Sequence, residues 1–107
     1  MRNDLVRGHL DGLLLAVLAD EPAHGYEAIQ RLAARSAGAL DLPEGTVYPA
    51  LHRLERAGHA RSSWVTHDGR RRRVYALTAA GRRAAAEAHT EWRSFASAVD
   101  RVLGATA

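Results

Sequence analysis

Pro43-Glu44-Gly45-Thr46-Val47-Tyr48-Pro49-Ala50-Leu51-His52-Arg53-Leu54-Glu55-Arg56-Ala57-Gly58, followed after a short interval by Asp68-Gly69-Arg70-Arg71-Arg72-Arg73, decides how this chain folds. The first stretch predicts a helix that begins near Pro43 and is closed by Gly58. Val47, Leu51 and Leu54 form its buried stripe, leaving Thr46, His52, Arg53 and Arg56 to solvent or a partner. Pro49 conflicts with that helix, because a proline inside a helix loses one hydrogen bond and crowds the carbonyl four residues back. Either regular helix starts only at Thr46, or Gly45 supplies local room. The second stretch reads as a tight turn between two strands, Ala60 to Val65 and Arg72 to Thr78, with Asp68-Gly69 as the hairpin signal. A helix of this kind can reach base edges in a DNA major groove, while a basic hairpin tip can grip phosphates or a narrow minor groove.

Working outward, Val6, Leu10, Leu13, Leu14, Val17 and Leu18 recur at helical spacing and predict one helix over Leu5–Ala19, stopped by Asp20-Glu21-Pro22. A second helix is expected over His24–Ala37, with Tyr26, Ile29, Leu32 and Ala33 on its packed side and Gly38 just beyond it. Thr78 can cap a last helix running from Ala79 to about Leu103. In that helix Ala88, Trp92, Phe95, Val99 and Val102 form a heptad-like seam. It outlasts what so small a core needs, and is expected to meet the same seam, or the first helix, of a second copy. Leu10, Leu14 and Val17 are therefore counted with Trp92, Phe95, Val99 and Val102 as dimer-interface residues. The fold class is mainly α with a small β-hairpin: a winged helix-turn-helix over residues 1–78 plus a long C-terminal dimerisation helix over 79–107.

A chain of 107 residues is one small domain with a modest core. Its formal net charge of +3 is unevenly spread. Residues 41–78 carry seven Arg against four acids, whereas residues 1–40 come out at −1. The excess thus sits in the helix and hairpin that would face a polyanion. All fifteen basic residues are Arg, which suits forked contacts to phosphate or guanine but also fits the GC-rich coding that the abundant Ala suggests. The absence of Cys excludes disulfides, thiolate metal sites and a cysteine nucleophile. The longest apolar run, Leu13–Ala19, is too short to span a bilayer, no signal-peptide layout opens the chain, and cytoplasmic residence is expected. Glu55 and His59 have four-residue spacing, but Gly58 ends the helix between them, so no metal is expected. No nucleophile, base and orienting group fall together and no phosphate-cradling glycine loop appears; neither enzyme activity nor a cofactor is expected.

Taken in order, His24-Gly25-Tyr26-Glu27, the run Gly45 to Glu55 with Gly58, then Trp64, Arg72 to Tyr75, Leu77-Thr78 and Gly81 resemble the PadR family of bacterial transcriptional regulators. The resemblance spans nearly the whole chain. It implies a winged-helix homodimer that binds operator DNA, usually as a repressor, in a family many of whose members respond to small aromatic or drug-like molecules. By match to the family's motifs, Thr46, Tyr48, His52 and Arg53 belong to the recognition helix and Arg70, Arg71, Arg72 and Arg73 to the basic wing. The helix containing Trp92 corresponds to the dimerising helix, and in some members a tryptophan at that place lines a ligand pocket. Pro43 departs from the pattern, standing where a polar helix cap is often found.

Each candidate has a plainer reading beside the functional one. The Arg run can be a solvated turn; if it grips DNA, alternation along the strand sends Arg71 and Arg73 opposite to Arg70 and Arg72, and the latter pair is favoured for contact because Arg73 shares the face of Tyr75 and Leu77. Tyr48 can be a core aromatic or a DNA contact, and Arg53 can pair with a surface acid instead of a base. Trp92 on an apolar seam is dimer core by default. A stacked planar effector beside it would use the space left by Ala88 and Ala96. The expectation is a DNA-binding transcriptional regulator whose partners are double-stranded DNA, a second copy and a small effector, with no membrane. The alternative is a winged-helix protein-interaction module without sequence-specific DNA binding. An RNA binder would need exposed aromatic platforms, and none is expected from the sequence.

Overall fold

The computed structural model describes residues 3–104. The outer ends of the two expected domains, residues 1–2 and 105–107, lie outside the described residues. Five helices and three strands follow in the order α1 (Asn3–Arg7), α2 (Leu10–Asp20), β1 (Ala23–His24), α3 (Gly25–Arg35), α4 (Glu44–Arg56), β2 (Ala60–His67), β3 (Arg70–Leu77) and α5 (Ala79–Leu103). The sheet is antiparallel in the order β1-β3-β2. Helices α2, α3 and α4 pack together and the β2–β3 hairpin stands beside them, which is a winged helix.

The single first helix expected over Leu5–Ala19 is two helices. His9, at φ −122° and ψ −2°, leaves helical geometry, and its N–H turns back to the Val6 carbonyl at 2.9 Å. Gly8, a poor helix former, precedes the break. Val6 and Leu10 nonetheless bury on the same core, which is why the apolar spacing reads as continuous. Helix α3 opens on a reciprocal cap. The Glu27 N–H donates to His24 Nδ1 at 3.2 Å, and the His24 N–H donates to Glu27 Oε1 at 3.1 Å. His24 also belongs to the two-residue strand β1, where Ala23 faces Tyr75 and His24 faces Val74; the sequence offered no sign of this strand. Tyr26, expected on the packed side of α3, points outward and is 48% exposed.

Of the two ways to accommodate Pro49, the start at Thr46 is overturned. Helix α4 begins at Glu44, with the Pro43 carbonyl accepting from the N–H groups of Thr46 at 3.0 Å and Val47 at 3.2 Å. Pro43 closes the helix end without any side-chain cap, and Pro49 lies inside the helix, four residues after Gly45. Both strands run two residues closer to the hairpin tip than expected, so all four Arg of the basic run are in β3 and only Asp68-Gly69 makes the turn. Those two residues have φ of 51° and 74°, the left-handed pair that a two-residue hairpin of the observed twist demands.

The core gathers Leu14, Leu18, Val47, Leu51 and Tyr75, each essentially inaccessible, from α2, α4 and β3. Helix α5 opens on Thr78, whose Oγ1 accepts from the Gly81 N–H at 3.0 Å and donates to the Gly58 carbonyl at 2.6 Å. Its first half packs on the core through Ala84 and Ala85 and along α2, where Gly12 lies against Ala88. Its second half does not, and the molecule extends 53 Å along its longest axis against 28 and 21 Å across.

Candidate nucleic-acid interface

Helix α4 and the hairpin bound one half-open groove of about 270 Å³. Tyr48 and His52 line it from α4, Arg71, Arg72, Arg73 and Tyr75 from β3, and His24 and Gly25 close it at the start of α3. Gly25 is there because nothing larger fits: a Cβ at that position would overlap the ring of Tyr48. Tyr48 is thereby held half-buried against α3, so one ring both packs and faces the groove. The His52 and Tyr75 rings lie 6.3 Å apart and form its floor.

The pairing register decides which Arg faces α4. Ser62 lies across from Tyr75 and Trp64 across from Arg73, so these four share one face, joined by Arg71 two residues nearer the tip. Tyr75 is 1% exposed on that face. Thus Arg73 shares the face of Tyr75, as alternation implied, with Arg71 beside it, while Arg71, Arg72 and Arg73 all line the groove. Arg73 Nε donates to Ser62 Oγ at 2.7 Å, and Ser62 Oγ donates in turn to Glu55 Oε2 of α4 at 2.7 Å. Arg73 Nη2 lies 3.8 Å from the same carboxylate oxygen. This chain fastens the hairpin to the end of α4. Burial, with the Glu55 carboxylate adding to it, raises the Tyr75 phenol above its ordinary pKa of 10.0.

The remaining predicted site residues stand outside the groove. Thr46 is half-buried in the first turn of α4. Arg70 is at the tip opposite His67. Arg53 Nη2 is bound to Asp11 Oδ1 of α2 at 2.9 Å, with both side chains about half exposed; a pair so exposed contributes only about 0–1 kcal/mol and opens readily. His24, Gly25, Ser62 and Trp64 escaped the sequence reading as members of this site. Counting outward from the Asp68-Gly69 turn would have matched Trp64 with Arg73, whereas nothing in the sequence links Glu55 to Ser62.

The dimer candidates divide. Leu10, Leu14 and Val17 are 2%, 0% and 2% exposed within one protomer. That corrects their assignment: their surface is consumed by the subunit's own core and none remains for a partner. Trp92, Phe95 and Val102 are 50%, 56% and 86% exposed, and Val99 is half-buried. Ala88 and Ala96 are half-buried on either side of Trp92, whose ring meets His9 edge-on at 5.0 Å and Phe95 at 6.2 Å. Among the described residues, no group of His, Asp and Glu is placed to hold a metal ion, and no helix is long and apolar enough to cross a membrane.

A winged helix with a cationic groove beside its third long helix belongs to the helix-turn-helix class of DNA-binding folds. Residues 14–87 match the Transcriptional regulator PadR-like family, and the chain belongs to that family. It is 45% identical over 69 residues, 64% of this chain and 62% of the other, to Transcriptional regulator Rv3488 of Mycobacterium tuberculosis. Among solved structures, it superposes on a PadR family transcriptional regulator of Eggerthella lenta with a TM-score of 0.81 at 32% identity, covering 94% of this chain and 86% of that one. A transcriptional regulator of Clostridium thermocellum matches with a TM-score of 0.85 at 25% identity, covering 94% and 96%. These relatives are transcriptional regulators, not enzymes, and the chain carries the DNA-binding fold that they share.

Proposed function

We propose that the chain is a repressor that binds an inverted-repeat operator as a homodimer in the cytoplasm and is released by a small aromatic or drug-like effector. The observation that carries this reading is the groove in which Tyr48 and His52 of α4 meet Arg71, Arg72 and Arg73 of the wing. Helix α4 supplies base or near-base contacts through Thr46, His52 and Arg53, the last after leaving Asp11. Arg70 to Arg73 meet phosphates or the minor groove, which makes binding strongly salt-dependent. Residues up to 78 read DNA, and the helix from 79 onward pairs the subunits through Trp92, Phe95, Val99 and Val102. Two-fold symmetry then sets the reading helices about 34–36 Å apart.

The effector, in this reading, lies against Trp92 between Ala88 and Ala96 and favours a subunit angle that takes the two α4 helices out of register with DNA. Support comes from a half-exposed aromatic ring beside two small residues. In protein that still dimerises and binds DNA, Trp92→Ala should abolish the effector response; an unchanged response removes this part of the proposal. The test of the whole is selection of genomic fragments by the purified protein at moderate salt, followed by sequencing. Enrichment of a shared inverted repeat is the expected result. A folded dimer that enriches nothing would instead favour a protein-interaction module.

A further inference from the structure

Of the wing's two large aromatics, Tyr75 is buried whereas Trp64 is 55% exposed. Core packing does not account for a half-solvated indole on a strand. Its surroundings are specific. The guanidinium carbon of Arg71 sits 4.8 Å from the ring centroid and that of Arg73 5.4 Å from it. Arg73 is held on its other side by Ser62 and, through it, by Glu55 of α4. Arg71 has no such tie: its guanidinium rests on the indole and makes no side-chain hydrogen bond or ion pair with any described residue. The two cations therefore differ in what they can offer a partner. Arg73 is committed to bracing the hairpin against α4, while Arg71 rests on a flat face that restricts its rotamers and leaves its N–H groups free.

We propose that Trp64 is a positioning residue for DNA binding, a stacking platform that pre-orients Arg71 toward a backbone phosphate at the mouth of the groove. This rests on the DNA-binding reading above and adds a residue which touches no DNA itself. A long side chain that is ordered before binding loses less freedom on binding, and the face of an indole attracts a guanidinium without competing for its hydrogen-bond donors. An acid in the same place would hold Arg71 equally still but would neutralise the charge that the phosphate needs.

The experiment is a double-mutant cycle on Trp64 and Arg71, measured by fluorescence anisotropy on a labelled, mixed-sequence DNA duplex at about 50 mM salt, where phosphate contacts dominate affinity. Trp64→Ala should weaken binding about three- to tenfold, the equivalent of re-freeing one long side chain. Trp64→Phe, which keeps a stacking face, should recover most of that loss. In the Arg71→Ala background, Trp64→Ala should change affinity less than about twofold, because its effect passes through the missing guanidinium. Equal losses in both backgrounds would overturn the proposal and mark Trp64 as a structural residue or a direct contact. If Arg71→Ala weakens binding and Trp64→Ala does not, this inference alone fails. If Arg71→Ala costs nothing, the inference falls together with the wing's assigned role.

Discussion

Two exposed regions of this molecule are built on opposite principles. The groove between α4 and the wing is defined by directional contacts: Arg73 to Ser62 to Glu55, the Tyr48 ring seated on Gly25, and two guanidiniums against Trp64. The outer half of α5 has only a stripe, with Phe95, Ala98, Val99, Val102 and Leu103 lining a shallow apolar surface. Hydrogen bonds and stacked ions prescribe distance and angle, so the groove is shaped before any partner arrives. Apolar area prescribes only that water should leave, so the α5 face acquires its geometry from whatever covers it. A reader of nucleic acid needs the first property, and the subunit contact proposed for α5 would use the second.

The contrast can be broken most forcefully at the wing. Replacing Arg70 to Arg73 together by Ala should lower affinity for any duplex roughly a hundred- to thousandfold at about 0.1 M salt and flatten the salt dependence by about 3–4 in log–log slope. Thermal stability should move little, except for the part that Arg73 contributes to the brace. Anisotropy titrations at several salt concentrations measure both quantities; a slope that stays the same places the phosphate contacts elsewhere.

On the other side, Phe95→Glu with Val102→Glu should convert a dimer to a monomer in light scattering, weakening self-association at least about tenfold, since charges in an apolar interface core are left unpaired. The protomer should keep its fold, because both side chains are more than half exposed. A variant that stays dimeric would move the interface away from this stripe.

Gly25→Ala sharpens the comparison within the groove. The added methyl must displace the Tyr48 ring, and overpacking of this kind costs about 1–3 kcal/mol in urea denaturation. The double variant Gly25→Ala/Tyr48→Ala should recover part of that loss, which identifies the ring as the obstacle. The smallest effect concerns pH. The Tyr75 phenol is raised above 10.0 in the folded protein, so its contribution is fully present below pH 10 and is lost as pH climbs through the higher folded value. Tyr75→Phe should change stability at neutral pH by less than about 1 kcal/mol and should flatten the alkaline loss of stability.

Much of this was legible in residues that punctuate the chain. Asp68-Gly69 announces a hairpin because few other dipeptides tolerate two left-handed conformations in succession, and Gly58 and Thr78 mark helix ends because of what their backbone or hydroxyl can do. The break at His9 was hidden because Val6 and Leu10 bury on one core on both sides of it. The strand β1 was hidden for another reason: two residues have no period, and their pairing with Tyr75 and Val74 exists only once the hairpin has formed.

Apolar spacing and turn chemistry by themselves determined the later helices and the basic hairpin in outline, and the ordered motifs carried the resemblance to the family to which the chain belongs. They work through local terms, namely backbone conformation and the burial of one face, which each segment carries wherever it sits. Tertiary structure decided the rest. Leu10, Leu14 and Val17 looked like candidates for a partner until the subunit's own core covered them, while Trp92, Phe95 and Val102, of the same apolar kind, remain in water. Likewise four consecutive arginines became one brace, one charge on an indole, one further groove-lining cation and one at the tip only when register set Trp64 across from Arg73 and α4 carried Glu55 to Ser62. Apolar periodicity reports that a face is buried, but what buries it, and which charge finds which partner, is a matter of distance between segments that no local signal encodes.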